Sequence, residues 1–384
     1  MRFSFSDEQE QLRRVVRRFL EDRSPPSEVR RWMATSDGCD LSLWRDLCQE
    51  LGLGGAHVPT HLGGQGLGFV ELGIVLEEMG RVLLCAPYFA SVALAATAIL
   101  NAASEEQKGE LLPAIVSGRT TAALAVCEPN GRFDATGIEL EATACVGTHR
   151  LDGVKSFVVD GHTADLLVVA GRAPRSSGVD GLSFFTVRGD ASGLVRRPLT
   201  AIDATRKLAR LEFSGVQADL LGEAGAAAPA LARTSEHAAV GLANEMVGGA
   251  QKVLEMAVEY AKSRVQFGRS IGSFQAIKHK CADMLLEVEL AKSAAYYAAA
   301  ASAEEDADLP ALASLAKSLA ADAYLRAAAE NIQIHGGIGF TWEHDAHLYF
   351  KRAKSSEVLF GDPPHHREQL AQRLLTSLDR EVSR

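Results

Sequence analysis

The sequence predicts an α+β protein of three successive regions, in the order helices, strands, helices. Apolar residues follow helical spacing before about residue 118, and short apolar runs bounded by Gly, Asp and Pro then follow each other at hairpin-like intervals. Long Ala- and Leu-rich segments fill the rest of the chain. We therefore expect an N-terminal helical domain over 1–118, a central antiparallel β-barrel or sandwich over 119–226, and a C-terminal four-helix bundle over 227–384.

Helices are predicted in the first region from apolar stripes and from residues that favour helix ends. The expected helical segments are 8–22, the stripe from Trp44 to Leu51, 69–79, about 91–102 and 104–117. Ser104 is followed by Glu, Glu and Gln, which is a favourable helix opening. Gly80 stands where the third of these segments would stop, since glycine often follows the last helical residue.

The elements of the other two regions are predicted in the same way. Strands are expected at 122–126, 156–159, 166–170 and 182–187. Helices are expected near 230–263, 273–303, 308–335 and 364–379. These four helices are long enough to pack as a bundle.

Composition narrows the class of protein. The 384 residues carry a net charge of −9, which disfavours a nucleic-acid surface. No apolar run reaches the roughly 18 residues of a membrane span. Met1–Glu8 lacks the basic-then-apolar layout of a signal peptide, and six cysteines without a CxxC pair fit reduced thiols. We therefore expect a cytoplasmic protein, without membrane association and without a metal site.

Two motifs carry the strongest functional signal, and they are about 65 residues apart. The first is Arg264–Gly268, which leads into Phe274–His279; the second is Asn331–Thr341, with its Gly336-Gly337 pair. Together they resemble the two signatures of the acyl-CoA dehydrogenase family of flavoenzymes. The resemblance covers nearly the whole chain and implies FAD between the bundle and the β-domain, with part of each FAD site supplied by a neighbouring subunit.

The resemblance also implies which residues contact FAD from the helical bundle. These are Arg264, Phe267, Gln275, Gln333, Gly336 and Gly337. Arg264 matches the arginine that contacts the FAD diphosphate, and the fixed fork of a guanidinium suits that group. Gly336 and Gly337 lack Cβ atoms, so backbone can approach a phosphate or a ring closely.

The resemblance in the β-domain includes substitutions at positions that line the cofactor, among them Cys127, Phe157 and Val159. Cys127 replaces the usual threonine of a loop that lines flavin and acyl-CoA, although a small core residue is the more ordinary role for a cysteine. Phe157 and Val159 replace a tryptophan and a threonine that commonly flank the isoalloxazine. Phe157 can still shield a ring face, whereas Val159 has no hydroxyl to donate.

A catalytic base is missing from both positions that the family uses. Many members carry a glutamate where this chain has Phe360, and another branch carries one where it has Ala238. Glu245 lies seven residues after Ala238 on nearly the same helix face, in an otherwise apolar stretch, so it is our candidate for the base. A buried ion pair is the alternative role for Glu245, and Glu236 and Asp362 are weaker candidates.

Three functions therefore remain open at this point. The first is an acyl-CoA dehydrogenase that uses Glu245 on an acyl-CoA substrate and passes electrons to an electron-transferring flavoprotein, as a homotetramer. The second is a subunit of an α2β2 heterotetramer with a related chain, as some actinobacterial relatives form, in which this chain mainly completes FAD sites. The third is a flavin monooxygenase or oxidase on the same fold.

Overall fold

The computed structural model describes residues 5–382 and confirms the α+β class, with helices, then strands, then helices along the chain. Residues 1–4 lie outside the described part. They belong to the predicted N-terminal domain and to Met1–Glu8, the segment considered above as a possible signal peptide. The first helices are α1 (Asp7–Arg23), α2 (Pro26–Met33), α3 (Leu41–Gln49), α4 (Phe69–Arg81), α5 (Thr97–Ala102) and α6 (Glu105–Val116). A π-helical segment, Phe89–Ala96, leads directly into α5.

The prediction that Gly80 stops its helix was wrong, because α4 continues to Arg81. Gly80 instead allows a close approach between two helices. A Cβ built on it would lie 1.9 Å from the carbonyl oxygen of Glu245, and a Cβ on Gly248 would lie 1.8 Å from that of Glu77. The two glycines therefore let the backbones of α4 and of the long helix that carries Glu245 touch.

The central strands form one seven-stranded sheet, and each of the four predicted strands is present. The strands are β1 (Ala122–Ala125), β2 (Glu141–Cys145), β3 (Thr148–Val159), β4 (Leu166–Arg172), β5 (Leu182–Arg188), β6 (Leu194–Leu199) and β7 (Leu208–Leu221). Sequence analysis missed β2, β6 and β7. Polar or charged residues interrupt the apolar residues of all three strands, so no continuous apolar run marks them.

The sheet closes on itself as a small barrel. The pairing runs β4–β2–β3–β7–β5, and β5 pairs back to β4 over Leu166–Arg172. Pairing is antiparallel except that β4 is parallel to both β1 and β2. These parallel pairs differ from the predicted antiparallel arrangement. The barrel core contains Leu151, Leu167, Phe185 and Leu211, none more than 1% exposed.

Among its described residues, the C-terminal part contains five α-helices instead of the predicted four. They are α7 (Ala228–Ser263), α8 (Gln275–Ala303), α9 (Leu309–His335), α10 (Ala346–Val358) and α11 (Pro363–Val382). A short hairpin, β8 (Val265–Gln266) with β9 (Arg269–Ser270), connects α7 to α8. Sequence analysis missed α10, which is rich in charged residues. No helix among the described residues is long and apolar enough to cross a membrane.

By packing, the chain falls into two compact units. We call the first the helical unit; it comprises the chain up to Val29, Phe69–Leu84, and the chain from Ala239 onward. We call the second the sheet unit; it comprises Arg30–Gly68 and Cys85–Ala238. The predicted domain boundaries near 118 and 226 follow the change from helices to strands, and as domain boundaries they stay a prediction.

Candidate active site

The connection between α7 and α8 presents the first motif at the surface of the helical unit. Phe267 adopts a left-handed backbone conformation with φ 53°, and Gly268 follows with φ 76°, so the hairpin turns tightly there. The Phe267 side chain is 91% exposed. Arg264 is also exposed, and within the part of the chain that the structure describes no carboxylate pairs with it. An arginine in this state is open to an external anion.

The same connection sets the start of α8. The guanidinium of Arg269 lies 4.2 Å from the ring centroid of Phe274, and the Phe267 ring meets Phe274 edge-on at 6.1 Å. Phe274 caps the helix without a side-chain hydrogen bond, and Gln275 is the exposed first residue of α8. Backbone N–H groups of this first turn that have no intrahelical acceptor can donate hydrogen bonds to an anion or a water molecule.

The second motif ends α9 in the same unit. Gln333, Gly336 and Gly337 are exposed, and a Cβ added to either glycine would meet nothing within 4 Å among the described residues. The His335 ring stacks on Tyr260 with centroids 4.2 Å apart, which ties the end of α9 to the end of α7. The structure thus brings both motifs into one unit, with their polar and glycine positions facing outward.

The sheet unit carries the other three predicted cofactor positions. Cys127 is buried, and burial raises the pKa of its thiol to about 11, so it behaves as a neutral core residue and not as a reactive thiolate. Phe157 stands at a β-bulge with φ 57° and is 41% exposed. Val159, at the end of the same strand, is buried. Phe157 is therefore the residue of this set whose side chain is accessible enough to cover a ligand.

Glu245 lies in a buried ion pair within the helical unit. Its Oε1 is 2.7 Å from Nη1 of Arg352, and the two residues are only 5% and 3% exposed. Arg352 lies on α10, 107 residues away in sequence. Arg352 was not predicted, because a carboxylate on an apolar helix face indicates that a cation is needed but not which of the 40 Lys and Arg residues supplies it.

The turn at the other base position is fixed by two buried side chains. Phe360 and Gly361 have φ values of 58° and 100°, a conformation that costs energy at a phenylalanine. Lys317 Nζ donates to the carbonyl oxygen of Gly361 at 2.9 Å, and His366 Nε2 lies 3.1 Å from that of Phe360. Burial lowers the pKa of Lys317 to about 7. These contacts hold Phe360, whose side chain cannot accept a proton, in a fixed turn.

The remaining carboxylate candidates have other surroundings. Asp362 is exposed and accepts a hydrogen bond from the backbone N–H of His365 at 2.9 Å, so it serves at the start of α11. Glu236 is only partly buried, on the early part of α7. Ala238, fully buried, has no group that could accept a proton.

These features fit a flavin dinucleotide as judged by this chain's own residues. Arg264 offers a guanidinium that pairs with no carboxylate of the described chain, and Gly336 and Gly337 leave open space that a side chain would fill. Phe157 offers an exposed aromatic ring at a bulge. Diphosphate recognition needs donors and close backbone approach, which the helical unit offers. Ring recognition needs an aromatic surface, which the sheet unit offers.

Comparison with known proteins defines the class. The chain matches the acyl-CoA dehydrogenase N-terminal domain over residues 6–119 and the acyl-CoA dehydrogenase C-terminal domain over residues 229–375. A relative of similar length is 35% identical to it over nearly the whole chain. The chain therefore belongs to the acyl-CoA dehydrogenase family, whose members are flavoprotein oxidoreductases.

Three similar proteins place the chain within that family. That relative is acyl-CoA dehydrogenase IpdE2 of Mycobacterium tuberculosis, aligned over 357 residues, which cover 93% of this chain and 94% of that protein. The structure of butyryl-CoA dehydrogenase from Megasphaera elsdenii matches with a TM-score of 0.91 and 28% identity, covering 98% and 100% of the two chains. A chain of the ChsE4-ChsE5 complex from Mycobacterium tuberculosis matches with a TM-score of 0.88 and 25% identity, covering 98% and 99%.

Proposed function

We propose that this chain is the FAD-completing subunit of a two-chain acyl-CoA dehydrogenase, whose reaction is the α,β-dehydrogenation of an acyl-CoA thioester to the 2-enoyl-CoA. The observation that carries the proposal is the ion pair between Glu245 and Arg352. The resemblance implies that Phe360 and Ala238 stand at the family's two base positions, and neither can accept a proton. Glu245 is the carboxylate that the sequence suggests instead, and it is bound to Arg352. A related partner chain then supplies the base.

A general base needs a carboxylate oxygen within hydrogen-bond reach of the proton that it removes. Glu245 is nearly inaccessible, and one of its oxygens is held by a buried guanidinium at 2.7 Å. Releasing that oxygen would leave the charge of Arg352 buried without this partner, which costs about 3–5 kcal/mol. The pair is thus better suited to fixing α10 against α7 than to proton transfer.

The roles of the cofactor-facing residues form part of the proposal. Arg264 and Gln275 would bind the diphosphate region, and Gln333, Gly336 and Gly337 would contact the FAD of a neighbouring subunit. Phe157 would cover the flavin ring, while Cys127 and Val159 would shape the wall beside it. FAD, when bound, would accept the β-hydrogen as hydride, and its electrons would pass to an electron-transferring flavoprotein.

The paired arrangement has support among similar proteins. One of them is a chain of a complex between two differently named proteins, ChsE4 and ChsE5. In such an assembly one chain can lose its base without loss of activity, provided that it still presents its half of each cofactor site. The exposed Arg264, without a carboxylate partner in the described chain, and the open Gly336-Gly337 segment fit that requirement.

A second candidate function keeps the chemistry within this chain. Glu245 lies in the apolar middle of α7, where burying a carboxylate costs free energy. A catalytic role would explain why a carboxylate is kept there. If substrate binding moved Arg352 away, Glu245 would become the base of a homotetrameric acyl-CoA dehydrogenase. A flavin monooxygenase or oxidase, the third function, has no particular observation in its favour.

Purification of the chain alone, and then with a co-expressed relative that has Glu at the position of Phe360 or Ala238, tests the proposal. We expect colourless protein from the first preparation and a yellow two-chain assembly, bleached by acyl-CoA, from the second. A yellow homotetramer that acyl-CoA bleaches would overturn the paired arrangement and favour Glu245. Rapid reoxidation in air with hydroxylation of substrate would favour a monooxygenase.

A further inference from the structure

A buried ion pair in the sheet unit joins the two segments that carry Cys127 and Phe157. Glu128 directly follows Cys127, and Lys155 stands two residues before Phe157. Lys155 Nζ lies 2.7 Å from Glu128 Oε1, and the side chains are 0% and 5% exposed. Neither residue was predicted to have a role, since in the sequence each is an ordinary charged residue beside a predicted strand.

A single oxygen of the Glu128 side chain accepts several hydrogen bonds that fix the loop after β1. Glu128 Oε1 accepts from the backbone N–H groups of Glu139 and Leu140, each at 2.9 Å, in addition to Lys155. Lys155 Nζ also donates to the carbonyl oxygen of Val126 at 2.9 Å. The pair therefore fixes both ends of the loop 127–139 to strand β3.

The same pair borders the bulge that exposes Phe157. Strand β3 pairs with β7 through Lys155 and again from Val158, with a register shift between them that turns Phe157 outward. The backbone N–H of Ser156 donates to the carbonyl oxygen of Cys127 at 2.8 Å, so the bulge and the loop are directly joined. Movement of Lys155 would displace both at once.

We propose that Glu128 and Lys155 are positioning residues that hold the Cys127 loop and the Phe157 bulge in the arrangement that receives flavin. The inference rests on the proposed function for the identity of the ligand. It adds a role for two residues that do not themselves contact the flavin. The pair sets the backbone of the two segments before any cofactor binds.

Electrostatics make the pair sensitive to the loss of one member. Burial lowers the pKa of Lys155 to about 8, and the charge of Glu128 opposes that shift. Lys155→Met would leave Glu128 charged and buried, which is strongly destabilising, whereas removal of both charges avoids an unpaired ion. The double variant Glu128→Gln/Lys155→Met therefore tests the positioning role without a large loss of stability. The amide oxygen of the introduced glutamine can still accept hydrogen bonds from the backbone N–H groups of Glu139 and Leu140.

The experiment compares this double variant with two controls in the full chain, assembled with the partner that yields a yellow complex. Arg188→Gln disrupts an exposed ion pair with Asp190, and Val187→Ala weakens the barrel core at a position on β5, outside both segments in sequence. Three quantities are measured: hydrogen exchange of residues 127–139 in the flavin-free chain, the Kd for FAD, and the visible absorption maximum of bound FAD.

In the double variant alone, we expect faster exchange in the loop, a Kd for FAD raised about tenfold, and a shifted absorption maximum. Loss of the residues that orient metal ligands weakens metal binding by about 10–100-fold, and we take the lower figure as the measure for a positioning residue here. Unchanged Kd and spectrum, or equal changes in Val187→Ala, would overturn the positioning role while leaving the proposed function intact. Wild-type assemblies that bind no FAD would overturn the proposed function, and the inference with it, even if the exchange result held.

Discussion

Glu245 on α7 and Arg352 on α10 form a buried ion pair, with Oε1 and Nη1 2.7 Å apart. The pair joins a residue from the middle of the longest helix to one that lies eight positions before Phe360. It therefore links the helix that carries Ala238 to the segment that leads to Phe360. Under the proposed function, this pair occupies Glu245 structurally and leaves it no catalytic role.

Removal of Arg352 alone should be costly. Arg352→Met leaves Glu245 buried and charged without its guanidinium, so we expect the free energy of unfolding to fall by about 3–5 kcal/mol. Glu245→Gln/Arg352→Met removes both charges and should recover most of that loss. Urea denaturation followed by circular dichroism measures both. Equal stability of Arg352→Met and wild type would show that the pair does not form in solution.

Close contact between α4 and α7 gives a second prediction. Gly248→Ala places a Cβ 1.8 Å from the Glu77 carbonyl oxygen, so the helices must separate and the thermal midpoint should fall clearly, by an amount equivalent to about 1–3 kcal/mol. Gly109→Ala, at an open position of α6, is the matched control and should be neutral or slightly stabilising. A Gly248→Ala midpoint equal to that of the control would contradict the packing.

The contrast between Gly80 and Ser104 shows what sequence could predict. The opening of α6 was predicted from the local sequence Ser-Glu-Glu-Gln, and in the structure Ser104 and Gln107 form a capping box there. The role of Gly80 was predicted wrongly, because glycine is required there by the carbonyl oxygen of Glu245, which lies on another helix. Glu245 could be recognised as unusual from its apolar neighbours in the sequence. Its partner Arg352 could not be predicted, because it lies 107 residues away. Strand β7 escaped prediction since alternating burial leaves no apolar run.

The glycines after α9 provide a test of the cofactor role. Gly337→Ala meets nothing within 4 Å among the described residues, so the isolated chain should keep its thermal midpoint. In the two-chain assembly the new methyl group should hinder backbone approach to FAD and raise its Kd about tenfold or more, as expected for a steric clash of about 1–3 kcal/mol. Flavin titration of both assemblies measures this. An unchanged Kd would remove Gly337 from the cofactor site.

Buried histidines predict how stability depends on pH. Burial lowers the pKa of His57 to about 4, of His237 to about 3 and of His366 to about 4, against an ordinary value of 6.5. Between pH 6.5 and these values the unfolded chain binds protons that the folded chain does not. Their contribution to stability is therefore fully present above pH 6.5 and is lost as pH falls towards about 4.

Urea denaturation between pH 7 and pH 4.5 measures this dependence. His237→Gln should make the slope of unfolding free energy against pH shallower, while His61→Gln, at an exposed histidine of the same unit, is the matched control. A slope that His237→Gln leaves unchanged would mean that His237 titrates alike in the folded and unfolded chains.

The central claim is that this chain completes a cofactor site and does not supply the base. The most direct measurement is anaerobic reduction of the flavin by acyl-CoA in the two-chain assembly that carries Glu245→Gln/Arg352→Met in this chain. We predict that the flavin still bleaches, at a rate within about threefold of wild type, a change of less than about 1 kcal/mol in the barrier. Loss of bleaching with an intact flavin spectrum would contradict the account and identify Glu245 as the base.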